Sequence, residues 1–122
     1  MKVGTSVKLA LDLKKAVVAL ESSVISQGLA YPKNLDIALA MEECIRNEKA
    51  QPATLAIVDG EVTVGCTLGE IKRLATERNI VKAGSREIGV SVALKNTAAL
   101  TVSGSLIVAS KIGIRVFATG GI

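Results

Sequence analysis

Apolar residues fall along this chain in two rhythms. Short, largely apolar runs at residues 16–20, 53–58 and 114–118, broken only by Thr54 and Arg115, read as strands. Elsewhere apolar residues recur at helical spacing. Leu35, Ala38, Met41 and Ile45 make one face of a helix for which Asn34 is the expected N-cap, and Leu68, Ile71, Leu74 and Ala75 make one face of another. Thr67 with Glu70 fits the capping-box pattern at the start of that second helix.

The punctuation between these runs is specific in places. Asp59-Gly60, followed by the extended residues 61–64, predicts a β-hairpin with a two-residue turn. Ser6 is the expected cap of a helix over 7–15, and Ser85 of a helix that begins at Arg86. Residues 80–83 read as a brief extended piece, and 22–33 as a polar loop containing Gly28 and Pro32. Residues 101–111 predict an apolar helix rich in small side chains, stopped by Gly113. After the opening helix the order is strand, helix, hairpin, helix, strand, helix, helix, strand. That alternation predicts one α/β domain over residues 1–122, with a mostly parallel sheet, flanking helices and one hairpin. The last strand runs into Thr119-Gly120-Gly121-Ile122, a turn that ordinarily leads to another element, so the fold is expected to be incomplete at its C-terminus.

Composition narrows the class. Hydrophobic residues make up 49% of the chain, too many for disorder, yet Tyr31 and Phe117 are the only aromatics, so the core has to be aliphatic. Lys and Arg exceed Asp and Glu by 15 to 11. That excess of four fits either a solvated surface or a phosphate-bearing ligand. No basic run is interleaved with aromatics, so nucleic-acid binding by base stacking is not expected. No apolar stretch approaches the roughly 20 residues of a membrane span, and the charged first residues do not form a signal peptide. Cys44 and Cys66 lack metal-ligand spacing and the chain has no His, which argues against a zinc site. They are expected to be reduced core residues of a cytoplasmic protein.

Three places offer chemistry. Glu21 stands where a strand gives way to a loop, a common position for an acid or base, although a loop carboxylate bonded to neighbouring backbone N–H groups would look the same. Lys82 and Arg86 flank the expected helix start at Ser85, where an anion could be held; two solvated surface cations are the alternative. Thr119, Gly120 and Gly121 would let backbone approach a ligand closely, or make an ordinary turn. A Ser/His/Asp triad is ruled out within the chain by the absence of His.

Four segments carry a resemblance. ALESSVISQGLAYPKN (19–34), QPATLAIVDGEVTVG (51–65), VKAGSREI (81–88) and IGIRVFATGGI (112–122) resemble, in order and spacing, the signature blocks of the pseudouridine-5′-phosphate glycosidase family, also called the indigoidine synthase A-like family. The resemblance implies reversible cleavage of the carbon–carbon glycosidic bond of pseudouridine 5′-phosphate to uracil and ribose 5-phosphate. It also implies an open-ribose Schiff base on a lysine, a proton-shuttling carboxylate and a manganese ion held through an aspartate. Carried onto this sequence, it places the proton-transferring acid at Glu21 and substrate contacts at Lys82 and Val102, with Thr101, Thr119, Gly120 and Gly121 near the ligand. The family's Schiff-base lysine and metal-site aspartate lie beyond the T-G-G-I block and have no counterpart here. Gln27 stands where the family usually has His, Ser23 where it has Thr, Ala30 where it has Pro and Leu100 where it has Thr. The partners implied are a small nucleotide substrate and either further copies of the full-length chain or a complementary C-terminal half. A non-catalytic fragment or a ligand-binding subunit is the competing expectation.

Overall fold

The spine of the molecule is β3 (Gln51–Val58), whose interior residues are all buried. In the computed structural model, which describes residues 1–122, β3 has neighbours of both senses. Its first half pairs in parallel with β2 (Val17–Leu20), in the register Val17↔Gln51 to Leu20↔Thr54. Its second half pairs antiparallel with β4 (Glu61–Val64) on one side and with β6 (Ala98–Leu100) on the other. Parallel pairs complete the sheet: β1 (Lys2–Val3) on β4, β7 (Val116–Ala118) on β2, and β5 (Val81–Ala83) on β6. Only the two contacts of β3 with β4 and β6 are antiparallel, so the expected mostly parallel sheet is present.

The hairpin forms as its turn chemistry predicts. Asp59 and Gly60 both have positive φ, 49° and 82°, the arrangement that matches the right-handed strand twist. Gly60 is also sterically required, because a Cβ there would sit 2.7 Å from the Cα of Lys95.

Alternation along the strands sorts side chains into two cores. Ala53, Leu55, Ile57, Ala98 and Leu100 face α1 (Thr5–Asp12) and α5 (Val102–Ile112). Ala56 and Ala99 face the opposite way, toward α2 (Lys33–Asn47), α3 (Leu68–Thr76) and a π-helical turn at Val24–Gly28. A sixth helix-forming segment, α4 (Ile88–Ala93), packs Ile88 against the first core. The result is three layers, helix on sheet on helix.

Several caps differ from expectation. The capping box at Thr67 is present, with Glu70 N–H on Thr67 Oγ1 and Thr67 N–H on Glu70 Oε2. Thr101 caps α5, and Gly113 ends it with φ of 85°. Ser6, however, lies inside α1, whose N-cap is Gly4. Asn34 is likewise inside α2, which begins one residue earlier, behind the cis Tyr31–Pro32 bond. Its buried amide instead donates to the carbonyls of Ile25 at 2.8 Å and Ala75 at 3.0 Å, tying the π-turn and α3 to α2. The helix expected from Arg86 starts at Ile88 with Glu87 as its cap residue, so Ser85 caps nothing. Cys66 is in the core, but Cys44 is exposed on α2.

Candidate functional site

The mixed directions of the sheet set up the site. β2 and β7 run one way while β5 and β6 run the other, and the carboxyl ends of both pairs stop at the same gap beside β3. Ser22 fills the apex of this fork. Its hydroxyl donates to the Leu55 carbonyl at 2.6 Å and accepts the Leu100 N–H at 2.8 Å. Ligands of α/β sheets collect where strand ends open a crevice, and here four strand ends face one another.

A cleft of about 490 Å³ opens at that junction. Its walls are the ends of β2 (Leu20, Glu21) and β7 (Ala118 to Gly121), the π-turn with its flanks (Ser23, Val24, Gln27, Gly28, Leu29), two residues of α2 (Ile37, Met41), and Lys82 of β5. Of the residues singled out from the sequence, the structure therefore brings together Glu21, Lys82, Thr119, Gly120 and Gly121. Thr101 and Val102 lie outside the lining. The Thr101 hydroxyl is committed to α5, accepting the Gly104 N–H at 3.5 Å and lying 3.2 Å from Ser103 Oγ.

Glu21 is the only carboxylate in the cleft, and it is not a loop carboxylate resting on backbone N–H groups. Ser23 Oγ donates to its Oε2 at 2.5 Å, and Thr119 Oγ1 donates to its Oε1. Lys82 is the only cation. It forms no ion pair, so its ammonium stays free for an anion at the mouth of the cleft. Gln27 ties the π-turn to the chain ahead of β5 through a long bond to the Ile80 carbonyl, 3.3 Å.

The anion site expected over residues 82–86 is different in kind. The Gly84 N–H is taken by the Glu87 carboxylate at 2.9 Å and the Ser85 N–H by Ser103 Oγ at 3.1 Å. These two donors are thus taken within the protein, and Arg86 lines no part of the cleft. Of the two cations, Lys82 alone lines the cleft.

Sequence reasoning missed Ser23, Ile37 and Met41 as wall residues. Ile37 and Met41 sit one helical turn apart and so share a face of α2, but that face lies beside the core rather than within it. For a metal the fit is poor. No group of three His, Cys, Asp or Glu residues comes together anywhere in the chain, and the cleft holds a single carboxylate. The manganese implied by the resemblance has no ligand set among these residues.

Comparison with known proteins agrees with this architecture. Residues 6–122 match the protein-family model described as indigoidine synthase A like protein. Over all 122 residues the chain is 47% identical to the pseudouridine-5′-phosphate glycosidase of Brachyspira hyodysenteriae, of which it covers 40%. It is 47% identical over 116 residues to the protein of that name from Mycoplasmopsis agalactiae, aligning 95% of this chain with 38% of the relative. Among solved structures, the prealnumycin C-glycosynthase AlnA, in complex with ribulose 5-phosphate, superposes with a TM-score of 0.88 at 36% identity, covering 99% of this chain and 39% of AlnA. An indigoidine synthase A-like protein from Thermotoga maritima gives a TM-score of 0.82 at 32% identity, with 87% and 36% covered. The chain thus spans about 40% of the length of the curated relatives it matches.

Proposed function

The chain belongs to the indigoidine synthase A-like family, and from that premise we propose that it supplies the proton-transferring half of a pseudouridine-5′-phosphate glycosidase site. Cleavage of the substrate with water breaks the bond between ribose C1′ and uracil C5, and C5 must gain a proton as it leaves. A carbon leaving group is poor, so a positioned acid is worth having there. Glu21 is that acid in this reading, and the free Lys82 ammonium takes the anionic end of the nucleotide. The observation that carries the reading is the cleft itself: one carboxylate and one unpaired cation where four strand ends meet, in a chain 47% identical to relatives of that name. Thr101 and Val102 are given no role at the ligand. No step is routed through a metal, because these residues offer it no ligands.

A second reading keeps the cleft but removes turnover. The chain then binds the nucleotide without cleaving it, a view favoured by a lining that holds one amine and no second acid. Uracil release from pseudouridine 5′-phosphate decides between them. The assay is run with manganese on the chain alone, and on the chain mixed with the part of the Brachyspira hyodysenteriae relative that it does not cover. Release that is lost in Glu21→Gln supports the enzyme. Nucleotide binding without release in either mixture, from folded protein, supports the binding module.

A further inference from the structure

The Glu21 carboxylate is gripped from two sides by groups of different origin. The parallel register of β2 on β7 pairs Leu20 with Ala118. One step further, beyond both strand ends, Glu21 and Thr119 fall side by side and leave the sheet on the same face. Thr119 Oγ1 donates to Glu21 Oε1, and the Gly121 N–H approaches the same hydroxyl oxygen at 3.3 Å. A hydroxyl has one proton and two lone pairs. With the Gly121 N–H on a lone pair, the one proton has two acceptors in reach, the Gly121 carbonyl at 2.9 Å and Glu21 Oε1, and the carboxylate is the nearer and the charged one. On the other side Ser23, two residues along the same loop, donates to Oε2 at 2.5 Å.

We propose that Ser23 and Thr119 are positioning residues that hold the Glu21 carboxylate in one orientation toward the cleft, rather than contacts to the substrate. The inference rests on the reading of Glu21 as the proton-transferring acid. An ionised carboxylate offers about four lone-pair sites. With one taken on each oxygen, each keeps a site for the proton that Glu21 carries to uracil C5, so the acid can work without releasing either clamp. The two clamps also complement one another. Ser23 is local and moves with Glu21, whereas Thr119 fixes that loop to the neighbouring strand. Displacing a reacting group by about 1 Å can cost on the order of 100-fold in rate, which is the magnitude such a clamp guards against.

The test uses Thr119→Val, which keeps the shape and removes the hydroxyl, with Thr119→Ser and Ser23→Ala. In the uracil-release assay, Thr119→Val and Ser23→Ala are expected to lower kcat by about 10- to 100-fold with KM unchanged. Thr119→Ser is expected to restore most of the loss, and thermal midpoints to stay put. A raised KM at unchanged kcat would make the hydroxyl a substrate contact and overturn the inference. Should the wild type release no uracil, the enzyme reading fails but the clamp is still decided in the 122-residue chain itself. There the 13C resonance of the Glu21 carboxyl should move in Thr119→Val and Ser23→Ala and return in Thr119→Ser. A resonance unmoved by Thr119→Val would overturn the clamp.

Discussion

The hydroxyl of Ser22 takes the N–H of Leu100 at 2.8 Å, across 78 residues of sequence, and so closes the fork of the sheet. The Ser22 N–H returns to the Leu100 carbonyl at 3.2 Å, and the same side chain donates to Leu55. All three residues are buried. Ser22→Ala therefore leaves a buried backbone donor without its partner, and such groups cost about 1–3 kcal/mol each. The expected loss is about 1–3 kcal/mol in urea denaturation. An unchanged midpoint would mean that another group reaches the Leu100 N–H.

That fork also shows where the sequence stops being informative. The hairpin was legible because Asp59-Gly60 can adopt two positive φ values at little cost, and the α3 start because Thr67 and Glu70 are three residues apart. Such signals are local. β6 is only Ala98, Ala99 and Leu100, too short to show a period, and it exists because Ala56, Ile57 and β5 pair with it. Lys2–Val3 is a strand for the same reason, through its pairing with β4. Asn34 has the chemistry of a cap, but its partners, Ile25 and Ala75, lie 9 and 41 residues away. In the cleft, Glu21 was visible as the end of an apolar run. Its partner Thr119, 98 residues on, becomes visible only with the β2–β7 register.

A surface cluster ties α3 to the hairpin turn and predicts an acid-sensitive step. Arg73 holds Asp59 through two bonds of 2.9 Å, Nη1 to Oδ2 and Nη2 to Oδ1, and Thr97 adds a third contact to Oδ1 at 3.2 Å. Hydrogen bonding from Arg73, then from Thr97, holds the Asp59 carboxyl below its ordinary value of 3.8. A carboxylate depressed in the folded state stabilises the protein above its unfolded pKa, and that contribution is lost as pH falls through the folded pKa. The stability gap between wild type and Asp59→Asn should be present at about pH 6 and close toward about pH 2. The pair is exposed, so the gap should also narrow in high salt. Urea midpoints across that range check both trends, and a gap that widens on acidification would contradict the assignment.

The two cysteines should separate cleanly in a thiol titration. Cys44 is exposed on α2, whereas Cys66 is buried and its surroundings push the thiol up, chiefly through desolvation. The thiolate is the reactive form, so Cys66 should be inert in the folded chain. An aromatic disulfide reagent is expected to modify one thiol per chain in buffer and both in denaturant. Cys44→Ser should abolish the fast phase, and a surviving fast phase would place Cys66 within reach of solvent.

The apolar surface on β7 and α5 predicts association of the 122-residue chain with itself. β7 is hydrogen-bonded only to β2, so its outer edge presents unpaired backbone groups, and Val116 on that edge is 56% exposed. Leu106 and Ile107 on the outer face of α5 are 48% and 40% exposed. An open edge strand beside exposed aliphatic side chains is a template for pairing with another chain. The mass measured by light scattering should therefore rise with protein concentration. Val116→Lys puts a charge on the edge at a position that contributes little to the core, so it should suppress association while leaving the thermal midpoint nearly unchanged. A monodisperse monomer in the wild type, or association untouched by Val116→Lys, would show that this edge is not the adhesive surface.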